Sequence, residues 1–170
     1  MPRSFKTQLA GQIGESLVVA ELGRRGIVAT SFTGNVPDID ILAYRDGRTI
    51  ALQVKALRTG SVSFDAKRFM QIDFDGDRQI VTEQAAKQGG GLIYVFVGIG
   101  DALGNDEFYL IEDHQLRRLI HDGHMSWLAK HGGIRPRNPQ STHTGLSLAT
   151  LEAYRDNWGL IENALAEAQT

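Results

Sequence analysis

Hydrophobic positions change period along the chain, and each change marks an element. Over residues 7 to 26, Leu9, Ile13, Leu17 and Ala20 recur at three- and four-residue steps with Leu22 beside them, predicting a helix closed by Gly26. Gly11 and Gly14 lie inside it, where each glycine costs about 1 kcal/mol relative to alanine. Their presence predicts either a frayed start or a close approach to another backbone. From residue 27 the pattern shortens: IVATSFT reads as a strand, GNVP as a turn and DIDILAY as a second strand. Asp46-Gly47 is a two-residue hairpin signal, so TIALQVKAL returns as a third strand, and SVSF continues as a possible fourth.

DAKRFMQIDFDGDRQ is polar and carries no assignable period, and VTEQAAKQ (81 to 88) is expected to form a short helix. GLIYVFVGI is an apolar run of the kind a central, doubly covered strand has, and DEFYLIE (106 to 112) pairs with it across GDALGN. HQLRRLI is amphipathic and helical. HGGIRPRNPQSTHTG is expected to be a loop, and residues from 148 to about 168 a closing amphipathic helix with Leu151, Tyr154, Trp158, Ile161 and Leu165 on one stripe. A helix, then a mostly antiparallel group of strands, then mixed elements predicts an α/β sandwich around a central mixed sheet flanked by helices.

At 170 residues the chain is expected to be a single domain. Hydrophobic residues at 42% and charged residues at 22% exclude a disordered or fibrous class. With no cysteine, disulfides, thiolate metal sites and a cysteine nucleophile are excluded. The start lacks an apolar signal-peptide core, and no run reaches membrane-spanning length, so a soluble, cytoplasmic protein without membrane contact is expected. The net charge of −2 conceals an asymmetry: residues 1 to 60 carry eight Lys/Arg against five Asp/Glu, the remainder ten against fifteen. A positive first third can attract phosphate, although the signal is weak by itself.

The chemistry concentrates in PDIDILAYRDGRTIALQVKA. Side chains two apart on a strand share a face, which would put Asp38 and Asp40 together, and Gln53 and Lys55 together on the partner strand. Counting outward from Asp46-Gly47 sets Asp40 opposite Gln53. One face thus offers a carboxylate, an amide and an ammonium. Two readings stand. The groups form a cross-strand ion pair on a solvated face, or they hold a divalent cation through oxygen ligands, with Lys55 supporting the charge of a phosphate reaction.

These residues resemble the PD-(D/E)xK nuclease superfamily, which includes restriction endonucleases, Holliday-junction resolvases and some homing endonucleases. The resemblance spans about residues 8 to 57: G-Q-I-G-E on the first helix, P-D-I-D-I-L-A entering one strand and Q-V-K in the next. It implies a restriction-endonuclease-like fold and metal-dependent hydrolysis of DNA. The implied catalytic set is Glu15, Asp40, Gln53 and Lys55, of which Asp40, Glu15 and Gln53 would ligate Mg2+, with Mn2+ a substitute. Asp38 supplies the literal P-D but is taken as a neighbour of Asp40, which opens the apolar strand. Gln53 departs from the usual acidic residue. A neutral amide removes one negative charge from the site, so the alternatives are an inactive nuclease-fold module binding nucleic acid or protein, and an RNA nuclease. Cutting both strands of a duplex implies a homodimer.

Other signals are weaker. Asp73, Asp75 and Asp77 fail the calcium-loop pattern, because its sixth and twelfth positions are Arg78 and Gln84. G-I-G-D-A-L-G is followed by a strand rather than the helix a dinucleotide loop needs. His121, His124 and His131 lack a zinc spacing, with Gly123 expected to interrupt the helix, and are read as surface histidines. Arg135 and Arg137, in a loop with Lys130, His131 and His143 nearby, are the candidate nucleic-acid-binding residues. Arg24 and Arg25 are further basic candidates.

Overall fold

The computed structural model describes residues 3–32, 38–58, 60–83, 91–102 and 104–166. Helix α1 (Arg3–Arg24) is followed by strands β1 (Val28–Ser31), β2 (Ile41–Arg45), β3 (Arg48–Leu57), β4 (Ser61–Asp65), β5 (Met70–Asp75), β6 (Arg78–Glu83), β7 (Ile93–Gly98) and β8 (Glu107–Glu112). Helix α2 (Asp113–Ala129), strand β9 (His143–Ser147) and helix α3 (Gly159–Ala166) complete the chain. These elements form two compact units: residues 1–61, 90–112 and 147–170, and residues 62–89 and 113–146.

The first unit is built on a five-stranded sheet in the order β1-β2-β3-β7-β8. Only the β3–β7 pair is parallel, so the sheet is mixed, and the expected α/β architecture with flanking helices is the one observed. β7 is an interior strand, between β3 and β8, and five of its six residues, Ile93 to Val97, are buried. That explains its unbroken apolar sequence, since both faces of such a strand are covered. Ile41, Ala43, Leu52, Val54, Val95, Val97 and Leu110 form the core with Val18 and Leu22 of α1 and Ile161 and Leu165 of α3. Each fully buried aliphatic side chain of this kind contributes about 1.5–3 kcal/mol relative to exposure.

The β2–β3 hairpin turns through Asp46 (φ 52°) and Gly47 (φ 85°). Both are left-handed, as a type I′ turn demands and as Asp-Gly tolerates. Arg45 pairs with Arg48 and Ile41 with Leu52, so the register is the one counted from the sequence. Among the glycines of α1, Gly14 is the one held to glycine by its surroundings. A Cβ there would lie 2.4 Å from Ala56 Cβ, whereas a Cβ at Gly11 would meet nothing within 4 Å. Of the two alternatives for this glycine pair, close approach is the one observed, and it belongs to Gly14 alone.

The second unit holds two two-stranded sheets, β4-β9 and β5-β6, together with α2. Here the sequence expectations need several corrections. The unassigned stretch is a 3-10 turn (Ala66–Arg68) and a hairpin, in which Met70 and Ile72 are buried while Gln71, Asp73 and Asp75 are exposed. Asp75 pairs with Arg78, so the acidic cluster spans one strand and its tight turn at Gly76-Asp77. The alternation is present in MQIDFD, but its polar half, Gln71, Asp73 and Asp75, masks it. Val81 to Glu83 belong to β6 rather than to a helix, and the rest of that expected helix lies outside the described residues. α2 runs straight through Gly123, because its i to i−4 bonds need no side chain there. His124 is buried rather than on the surface, at 1% exposure. The end of the expected loop, residues 143–145, belongs to strand β9 (His143–Ser147).

The closing segment is not one helix. A 3-10 helix (Leu148–Tyr154) ends before Asp156, whose φ of 50° breaks the spiral, and α3 starts afresh at Gly159. The apolar stripe survives the break, for Leu151, Trp158, Ile161 and Leu165 are all buried. No described helix is long and apolar enough to cross a membrane.

Candidate active site

Asp40 lies one residue before β2 and is fixed by three hydrogen bonds. Its backbone N–H donates to the Leu52 carbonyl at 2.9 Å, and its carbonyl accepts from Phe32 N–H at 3.1 Å. Its carboxylate Oδ2 accepts the Val54 backbone N–H at 2.7 Å, standing in for the strand residue that would otherwise pair there. Such a bond to an ionised oxygen is among the stronger kinds. Oδ1 is the oxygen that this bond does not use. The ladder register, extended by one residue, sets Asp40 opposite Gln53.

Asp38 does not share this placement. Its φ is 68°, it is exposed, and it lies in a turn ahead of the strand, so the expectation that Asp38 and Asp40 project together from one strand face is corrected. The alternation argument fails at Asp38 because the strand has not yet begun.

Gln53 and Lys55 leave β3 on the face opposite Leu52, Val54 and Ala56. Gln53 is buried and Lys55 half-buried. Their neighbours in register on β7 are Tyr94 and Phe96, both buried. Glu15 enters from α1, directly after the glycine that lets the helix lie against Val54 and Ala56. Burial raises the Glu15 pKa first, the negative charge of Asp40 raises it further, and the positive charge of Lys55 lowers it. Glu15, Asp40 and Lys55 therefore share one electrostatic environment, although they come from a helix, a strand entrance and a strand interior.

The described residues gather no group of three His, Asp or Glu side chains able to hold a metal. The oxygen donors whose charges meet are the carboxylates of Glu15 and Asp40; Gln53 lies opposite Asp40 in the ladder, on the face of β3 away from the one that α1 covers. The carboxylate pair fits a hard, oxygen-seeking ion that keeps several waters, which is the habit of magnesium. A cation between Glu15 and Asp40 would also relieve the repulsion that pushes Glu15 up.

The basic candidates separate clearly. Arg24 is ion-paired with Glu21, and Arg25 with Glu162 at 3.2 Å, its guanidinium lying 4.8 Å from the Trp158 ring centre. Both line a hollow of about 420 Å3 floored by Leu17, Phe108 and Trp158, which includes none of the four candidate catalytic residues. Arg135 and Arg137 belong to the second unit. Arg135 donates to the His143 carbonyl and lies 4.9 Å from the Trp127 ring centre, and Arg137 is exposed.

Sequence reasoning missed a buried polar hub in the second unit. The Gln79 amide nitrogen donates to the carbonyls of Pro139 and Ser141, both at 2.9 Å, and its oxygen faces His124 Nε2 at 3.1 Å. Because carbonyls only accept, the amide nitrogen must face them, and His124 must carry its proton on Nε2. Burial, Arg135 and His121 all depress the His124 pKa, keeping the ring neutral. Nothing local in the sequence signals a partnership of residues this far apart.

No protein-family model and no curated protein matches the chain. Among solved structures it is similar to a bacterial homing endonuclease, I-Ssp6803I, at 14% identity and a TM-score of 0.53, over 96% of this chain and 99% of that one. At that identity the likeness is one of fold, and the chain has a nuclease-like α/β fold.

Proposed function

We propose that this protein is a metal-dependent deoxyribonuclease of the PD-(D/E)xK type, hydrolysing phosphodiester bonds with Glu15, Asp40, Gln53 and Lys55. The observation that carries the reading is the shared electrostatic environment of Glu15, Asp40 and Lys55. The fold likeness to a homing endonuclease supports the same substrate class.

Asp40 is the principal metal ligand, presenting Oδ1 while Val54 N–H holds Oδ2. Glu15 is the second carboxylate, and must lose its proton for the pair to hold Mg2+ or Mn2+. Gln53 contributes a neutral oxygen or orients the others. The ion supplies positive charge to the phosphate and acidifies water. Lys55 stabilises the negative charge that develops as the phosphodiester is attacked. Arg135 and Arg137 contact the DNA backbone, and two copies of the chain cut the two strands.

A second reading has its own observation. Gln53 is buried and neutral where the resembled family carries an acid, which favours a binding module that has lost catalysis. The test is to incubate the protein with plasmid, single-stranded DNA and RNA, with Mg2+ or Mn2+. DNA cleavage abolished in Asp40→Ala and Lys55→Ala supports the first reading. Binding without cutting under either metal supports the second, and cleavage confined to RNA would move the substrate class.

A further inference from the structure

Residues 123–146 contain no Asp or Glu, yet hold Lys130, Arg135, Arg137 and three histidines, in a chain whose net charge is −2. Four arginines elsewhere are engaged by acids, Arg24 with Glu21, Arg25 with Glu162, Arg117 with Asp113 and Arg155 with Glu107, and two more, Arg45 and Arg48, donate to backbone carbonyls. Lys130, Arg135 and Arg137 pair with no carboxylate among the described residues.

The same segment displays planar groups. Trp127, 36% exposed near the end of α2, stacks on His131 with ring centres 4.2 Å apart and planes 28° apart. The Arg135 guanidinium approaches the same Trp127 ring. The arrangement is built rather than incidental. His131 Nδ1 bonds to the Trp127 carbonyl at 2.9 Å, and Gly133 N–H closes the helix onto the Leu128 carbonyl at 2.9 Å. Gly132 and Gly133 supply the left-handed φ values, 62° and 82°, that this ending requires. Gln79 then ties the far side of the loop to β6 through Pro139 and Ser141. Met125 in α2 and Ile134 in the following loop are also exposed.

From this juxtaposition we infer that Trp127, His131 and Arg135, with Lys130 and Arg137, form a docking surface for a DNA strand, a nucleotide packing on the exposed indole while the cations take its phosphates. The choice of a polyanion rests on charge: the segment itself carries no acid, and Asp65, which reaches it from β4, is held by the Thr142 hydroxyl. Aromatic contact with a nucleotide is worth about 1–3 kcal/mol and tolerates any base, whereas each phosphate contact adds to the salt dependence. The inference takes DNA as substrate from the proposed function but uses none of its catalytic residues.

The test measures binding of a labelled single-stranded DNA and its duplex by anisotropy, in EDTA so that no cutting intervenes. Trp127→Ala is expected to weaken binding about tenfold, Trp127→Phe to recover most of it, and Arg137→Ala to lower the salt slope by about one. DNA should quench the emission of the unsubstituted protein but not of Trp127→Phe, which retains only the buried Trp158. Unchanged affinity in Trp127→Ala, equal quenching in both proteins, no binding of DNA, or preference for RNA would each overturn the inference. Cleavage is scored separately: a Trp127→Ala enzyme that binds and cuts normally sinks only this surface, and a protein that binds through Trp127 but never cuts sinks only the catalytic reading.

Discussion

Each unit buries a glutamine on a strand, and the two glutamines belong to different ways of holding a structure together. Gln53 lies in β3, whose register follows from a two-residue turn and whose neighbours are a continuous apolar sheet. Gln79 is itself an organising contact, joining β6 to a helix and to two loop carbonyls far away in sequence. The first unit is specified by local turn chemistry and hydrophobic period, the second by a side-chain hub that compensates for small two-stranded sheets. Two-stranded ribbons are marginal without such support.

The contrast can be broken most strongly at the catalytic candidates. Asp40→Asn keeps an acceptor for Val54 N–H but removes the charge, so nuclease activity should fall at least about 100-fold while the melting temperature stays close to wild type. A plasmid assay beside a thermal melt checks this, and a large loss of stability would show that the carboxylate is structural. Next comes the helix contact. Gly14→Ala should destabilise the protein by about 1–3 kcal/mol through overpacking on Ala56, whereas Gly11→Ala should stabilise it by about 0.5–1 kcal/mol. Urea melts of the pair decide it, and equal shifts would deny the close approach.

In the second unit, Gln79→Ala should cost about 2–3 kcal/mol, because it strands two carbonyls and the His124 N–H. Hydrogen exchange should localise the loosening to residues 131–142.

The smallest effects are those of pH, and they run in opposite directions. His124 has a depressed pKa when folded, so the unfolded chain takes up the proton first. Stability from this residue is present above about pH 6.5 and is lost as pH falls from there toward the folded value. Glu15 has a raised pKa, so its folded form holds a proton that the unfolded form has released. Stability then declines as pH rises from the ordinary glutamate value through the raised one. Glu15→Gln should therefore raise the melting temperature at neutral pH without metal, and His124→Gln should flatten the acid limb. Melts across pH 4–8 would show either slope missing.

The legibility of the sequence divides along the same line. The hairpin register and the buried strand IYVFVG were readable, because each depends on residues close in sequence or on an unmistakable period, whereas Gly11 and Gly14 left close approach and a frayed start both open. The set Glu15, Asp40, Gln53 and Lys55 was readable as residue types at suggestive spacings, and of these the charges of Asp40 and Lys55 both act on Glu15. Asp38 lies beyond the reach of period-two alternation because its backbone is left-handed and the strand begins only at Ile41. The closing segment was misread because its apolar spacing continues across Asp156, whose left-handed backbone no hydrophobic pattern reveals. His124 and Gln79 were opaque because the hub depends on non-local pairing.

The turn at Asp46 and Gly47 has a consequence for how this chain can vary. It works as a ruler: position 40 meets position 53 only while two residues separate the strands. Adding one residue would slip the ladder and exchange inward for outward side chains along the whole ribbon. Insertions that a long surface connection absorbs would be intolerable here, so lineages of this protein should differ in length almost anywhere before they differ in length at this bend.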